Sequence, residues 1–185
     1  MARPRTFDPR RLDMRAFAEA AAALEGEIPQ QALTRLSGGA LPVPDQVPEA
    51  VRWSASAELR PVTGGAPEVW LHLTAAASVT LECQRCLQPM REPLHVDRWF
   101  RFVATEDEAA RLDEESEDDV LVLSRSLDLL DLVEDELILA LPLVPRHEAC
   151  PEPLPLGDAP AEEPEEAAPH PFAALEALRR GRRDG

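Results

Sequence analysis

The chain has no lysine, no asparagine and no tyrosine, and its aromatic residues are five Phe and three Trp. So few rings leave a core to be assembled mainly from Leu, Val and Ala. The only cations besides histidine are arginines, and with the abundant Ala and Pro they read as the codon bias of a GC-rich genome. The choice of Arg over Lys is therefore uninformative about phosphate recognition, although the two side chains differ in geometry.

Long hydrophobic runs are missing as well. The longest apolar stretches, such as residues 137–144, fall far short of the roughly 20 residues a membrane-spanning helix needs. No apolar run follows Met1-Ala2-Arg3-Pro4-Arg5, so a cytoplasmic protein with no membrane partner is expected. The three cysteines are an odd number with two in a C-x-x-C, which fits a reducing compartment with metal-bound or free thiols better than a disulfide framework. Enzyme signatures are absent too: there is no G-x-S-x-G, no phosphate-cradling glycine loop, no H-E-x-x-H and no dinucleotide fingerprint. His72, His95, His147 and His170 are scattered, and a non-enzymatic protein is expected.

What the chain has in excess is negative charge, net −16 over 185 residues. Residues 106–136 hold two basic residues against fourteen acidic ones, a net −12. A field of that sign repels phosphate backbones and attracts cationic proteins. The same residues also suit a solvated acidic loop that aids solubility.

The pattern of elements points to an α+β fold. Residues 13–24, with Met14, Phe17 and Ala21 on one face, read as a helix, followed by an extended piece over 26–29 and a helical turn within 30–36. A Gly- and Pro-broken connector runs to Pro48. Clean alternation over 51–60 places Val51, Trp53, Ala55, Ala57 and Leu59 on one face of a strand, with residues 61–67 as the return loop. The period resumes at Val69 and continues to Cys83 as a long or bulged second strand. A third spans 94–103, with Val96, Phe100 and Phe102 on its inner face.

The three strands form an antiparallel meander, as a sheet or partial barrel, with flanking helices. Residues 105–119 read as an acidic loop holding a helical turn at 109–112, and 120–123 as a short strand. Ser126 or Asp128 caps a helix to about Leu141. Its stripe is Leu129, Leu132, Val133, Leu137 and Ala140 or Leu141, while Asp131, Glu134, Asp135 and Glu136 face water. Residues 1–150 thus make one domain, 151–170 a Pro/Glu/Ala-rich linker, and 171–185 a C-terminal helix and tail.

The chemistry concentrates in two short runs. Cys83-Gln84-Arg85-Cys86 sits where the second strand turns toward the third, so that two thiolates can converge on one ion as in a zinc knuckle. His147 and Cys150 would complete a Cys3His tetrahedral set with no position left for water, a structural zinc site and not a catalytic one. The same residues also fit buried free thiols, or a redox pair of Cys83 and Cys86. Arg85, Arg98 and Arg101 would make a small basic face, beside which Trp70 and Trp99 could stack on bases. The plainer alternative is edge-of-core tryptophans with surface arginines.

Three runs together resemble the YceD family, the large ribosomal RNA subunit accumulation proteins: residues 81–89 (LECQRCLQP), 132–147 (LVEDELILALPLVPRH) and 171–175 (PFAAL). Phe7-Asp8-Pro9 and residues 24–29 also look like that family's opening. The resemblance implies a bacterial cytoplasmic factor, with relatives in chloroplasts, needed for synthesis, processing or stability of large-subunit ribosomal RNA. It implies no catalytic residues. Joined to the charge pattern, it gives a factor whose acidic surface over 106–136, including Asp135 and Glu136, engages a basic ribosomal protein or pre-ribosomal particle. The face around Arg85 would approach the particle, with direct RNA contact disfavoured by charge. The competing classes are a thiol or metal-dependent redox protein using Cys83 and Cys86, and an acidic nucleic-acid mimic.

Overall fold

Strand periodicity dominates the fold. A computed structural model describes residues 6–42, 48–116 and 118–151, all within the first of two units into which the chain divides, Met1–Pro151. In chain order come helix α1 (Met14–Glu19), strand β1 (Ala23–Ile28), helix α2 (Thr34–Gly38), and strands β2 (Val51–Arg60), β3 (Glu68–Glu82) and β4 (Pro89–Val103). Helix α3 (Glu106–Glu115), strand β5 (Asp119–Val122) and helix α4 (Leu129–Leu139) follow. The architecture is α+β. The sheet is open, in the order β1-β2-β3-β4-β5, antiparallel through β4, with β5 parallel to β4. The linker over 151–170 lies outside the described residues except for Pro151, as does all of the C-terminal helix expected over 171–185.

Alternation decides which side of the sheet is dry. Val51, Trp53, Val69, Leu71, Leu73, Leu94, Phe100 and Phe102 are buried on one face, joined in a single core with Met14 and Phe17 of α1 and Leu129, Val133 and Leu137 of α4. Each such side chain contributes roughly 1.5–3 kcal/mol of burial. β3 keeps its parity without a bulge from Val69 to Leu81, so Cys83, one step further along the same face, arrives at the edge of the core fully buried. Gly26 lies opposite Trp53, and a Cβ there would stand 3.2 Å from the indole. The glycine lets the ring lie flat across β1.

The two core helices start side by side. Leu12 and Leu127 exchange backbone hydrogen bonds of 2.8 and 2.9 Å, and Asp13 and Asp128 then cap α1 and α4 by accepting amide hydrogens of their first turns.

Four boundaries or faces differ from the sequence expectation. The first helix ends at Glu19 instead of Leu24, with Ala21 at φ 44°. Residues 23–28 pair with β2 along six positions, and this ladder overrides the helix preference of the alanines. The acidic stretch is a ten-residue helix, α3, and not a loop. Thr105 caps it, Glu106, Asp107 and Glu108 suit its N-terminal dipole, and Arg111 pairs with Glu115 one turn on. β4 starts at Pro89 instead of Leu94. Prolines at 89 and 93 are tolerated because β5 lies along Phe100–Val103 only and, among the described residues, leaves that part of β4 as an edge.

The polar face of α4 is also drier than its periodicity implies. Glu134 is buried, accepting the amide hydrogens of Arg35 and Leu36 at 2.7 and 3.1 Å and the Arg35 guanidinium at 3.2 Å. α2 has no side-chain cap of its own at Leu33, so this carboxylate, 99 residues away in sequence, serves as its cap. Glu136 is covered too, 3.9 Å from Arg98, and burial raises its pKa above the ordinary carboxyl value despite that arginine, with Asp119 and Asp135 raising it further.

Candidate metal centre

β3 and β4 are joined by six residues that fold back tightly. The Cys83 amide donates to the Gln88 carbonyl at 3.0 Å, and the Leu87 amide to the Cys83 carbonyl at 2.8 Å. Leu87 closes the turn at φ 59°, left-handed backbone that an L residue adopts at a cost of roughly 1–2 kcal/mol. Cys83 and Cys86 are both buried beneath it.

The second half of the site comes from the chain leaving α4. Pro142 and Pro145 prevent further helix, and the strap that follows is tied to the turn by the Gln84 amide, which donates to the Pro145 carbonyl at 2.9 Å. This brings His147 and Cys150 over the turn. The ligand atoms of Cys83, Cys86, His147 and Cys150 all lie within 4.8 Å of one another. Cys83 Sγ is 4.0 Å from Cys150 Sγ, and Cys86 Sγ is 3.4 Å from His147 Nδ1.

Those separations test whether one ion fits. A tetrahedral centre with metal–sulfur bonds of about 2.3 Å and a metal–nitrogen bond of about 2.0 Å has edges of about 3.8 Å between sulfurs and about 3.5 Å from sulfur to nitrogen. The observed distances match both, and a sulfur pair at 4.0 Å is far beyond disulfide bonding. The group can therefore hold a metal through three sulfurs and one imidazole nitrogen, with its four positions filled by protein.

The protein environment prepares the thiols unequally. Burial pushes the Cys83 thiol up, but backbone N–H groups of His147, Arg85 and Cys86 aimed at its sulfur outweigh burial and bring it down to about 5. Burial instead holds Cys86 above its ordinary value, against the Gln88 amide and with the neighbouring Cys150 and Cys83 sulfurs adding to the rise. Cys83 is thus poised as a thiolate, whereas Cys86 would release a proton on meeting a cation.

The family profile described as "Large ribosomal RNA subunit accumulation protein YceD" matches residues 71–179. The chain belongs to the YceD family. The matched stretch opens in β3 and takes in both halves of the ligand group, α3 and α4; Phe7-Asp8-Pro9 and residues 24–29 lie outside it. The curated protein "Large ribosomal RNA subunit accumulation protein YceD" of Haemophilus influenzae is 41% identical over 111 residues, which are 55% of this chain and 60% of that YceD protein. The similarity thus covers less than two thirds of the relative. No solved structure matches the chain.

The other residues singled out from the sequence lie elsewhere in this YceD-family structure or have other partners. Arg85 is turned onto the ligand group, donating from Nε to Cys150 Sγ at 3.0 Å. Asp135 is engaged by Arg35, and Glu136 is covered. The small basic face does not form: Arg98 pairs with Asp119 at 2.7 Å and Arg101 with Glu68 at 2.6 Å.

Trp70 is buried and edge-on to Trp99, 6.5 Å between centroids. Arg60 lies 4.1 and 4.3 Å from their ring centroids, and His72 stacks on Trp99 at 4.5 Å. Arg60 and His72 are parts of this cluster that sequence reasoning missed. Their only sequence signal was parity, since Arg60, Trp70 and His72 are even-numbered on the solvent side of adjacent strands. No described helix is long and apolar enough to cross a membrane.

Proposed function

We propose that this chain is a non-enzymatic, cytoplasmic ribosome-biogenesis factor that supports synthesis, processing or stability of large-subunit ribosomal RNA, with one structural zinc ion in its Cys3His centre. The observation that carries the non-enzymatic part is the closed ligand group: four protein ligands leave no coordination site for a substrate or an activated water. Three sulfurs and an imidazole in a tetrahedron favour zinc over the hard, oxygen-preferring cations. The ribosomal part rests on family membership.

Contact with the particle runs through protein. A net charge of −16 opposes naked RNA and favours basic ribosomal proteins. The acidic surface is that of α3, on which no residue is buried. At the other end of β4 from α3, Leu87 beside the ligand group, in left-handed backbone and 59% exposed, offers a separate apolar contact.

The test is sedimentation of cell extract from a strain depleted of the protein and complemented with the tagged chain. Co-sedimentation with large-subunit precursors, and a fall in large relative to small ribosomal RNA on depletion, is expected. Absence of both sinks the proposal. A Cys86→Ser chain that loses a thiol-dependent activity while ribosomal RNA stays normal would favour the redox reading instead. Displacement of its partner by RNA, again with normal ribosomal RNA, would favour the mimic.

A further inference from the structure

Arg85 lies between the two turn cysteines and is exposed, yet its guanidinium reaches across to the opposite half of the centre. Nε donates to Cys150 Sγ at 3.0 Å, and one terminal nitrogen donates to the His147 carbonyl at 2.9 Å and the Glu148 carbonyl at 3.3 Å. One planar group thus grips a ligand sulfur and the backbone that carries the other late ligand. The strap from Arg146 to Cys150 has no helix or strand to fix it. Among the described residues, Arg85 is the one side chain outside the ligand group that hydrogen-bonds to it.

Charge supplies a second role. Three thiolates, a neutral imidazole and a divalent cation sum to one negative charge, in a chain already strongly acidic. Cys83 has backbone amides to stabilise its sulfur, whereas Cys150, at the end of the strap, has the guanidinium. A hydrogen bond from a cation to a thiolate is of the stronger, charge-assisted kind. Lysine could offer the charge but not the fixed fork that meets a sulfur and two carbonyls together.

We infer that Arg85 is a positioning residue of the metal centre, which seats the His147–Cys150 strap and neutralises the bound cluster, so that it sets how tightly and for how long the metal is retained. This rests on the Cys3His group being a metal site. Arg85 would then be spent on the centre and not on a partner.

The experiment uses the full chain without a histidine tag, as wild type, Arg85→Ala and Arg85→Lys, each checked for native far-ultraviolet circular dichroism. Cobalt(II) is titrated in, and its affinity and release to a chelator are measured. Wild type is expected to take one ion with thiolate-to-cobalt charge-transfer bands. Arg85→Ala should bind about 10–100-fold more weakly, the usual effect of losing an outer partner of a ligand, and release faster. Its charge-transfer band should move to longer wavelength, because an unbonded thiolate is the better electron donor; Arg85→Lys should recover part of both effects.

Equal affinity and an unmoved band in all three proteins would overturn the inference and leave the metal site standing. Weaker binding in Arg85→Ala with an unmoved band and no recovery by lysine would also overturn it, since Arg85 would then serve folding alone. Failure of wild type to bind cobalt would overturn the metal site itself, and the inference with it. Should Arg85→Ala not fold, the lysine variant carries the test: affinity and band identical to wild type overturn the inference.

Discussion

The body of the sheet and the turn at its end are held by different physics. Across the body, long strands with unbroken alternation bury one face against α1 and α4, and no single contact decides the outcome. At the turn, a six-residue connection and an irregular strap meet through one backbone bond, one arginine and four potential ligands. The body spreads its stability over many apolar contacts. The turn concentrates it in a few polar ones, so the two should fail separately.

The largest effect should come from the body. Leu137→Ala removes a fully buried side chain and should lower unfolding free energy by about 3 kcal/mol, measured by urea denaturation, while the folded variant still takes one metal ion. Loss of metal uptake by the folded variant would break the separation. Next comes Glu134→Ala, which strips α2 of its cap and leaves the two amides without their acceptor and Arg35 with Asp135 alone, at a cost of about 2–3 kcal/mol. Glu134→Gln, which keeps an acceptor oxygen, should cost less.

Removing metal with a chelator, or by Cys83→Ser, should act on the turn alone. Hydrogen exchange at Gln84 and Leu87 should accelerate while Leu71 and Leu73 in the sheet stay protected. Uniform loss of protection would show one cooperative unit instead of two. The smallest effect concerns Glu136. Its pKa is raised in the fold by burial, so the stability linked to its protonated form is present below the ordinary carboxyl range and is lost as pH rises through the raised value. Arg98, Asp119 and Asp135 face this group, and Arg98 offsets part of the loss. Glu136→Gln should therefore gain stability relative to wild type as pH rises through that window, and a flat difference across pH would contradict it.

The contrast also explains what could be read from sequence. Val51 to Arg60 was legible to the residue because a two-residue period needs no knowledge of neighbours. The start of β4 was hidden by Pro89 and Pro93, which argue against a strand unless its edge is known to be free. α3 was obscured because a run of acids reads as repulsion until Thr105 and Arg111 are given their cap and pairing roles. For the centre, C-x-x-C and the distant His and Cys could be named, but that they meet depends on the strap turning back after Pro142. The cap that Glu134 gives to α2 left no trace in the sequence, since an acid on a helix face looks the same whether it meets water or a backbone amide.

Among the described residues no strand pairs with the outer side of β4 before Phe100, and that edge bears on how the molecule stays apart from its own kind. Unpaired strand edges invite a second chain to add on, and a sheet this well patterned would be a good template for self-association. Pro93 withholds a donor from any incoming strand, and Arg91, Asp97 and Arg98 set charge along the same stretch. The prolines that disguise β4 in the sequence are what keep its edge closed to aggregation.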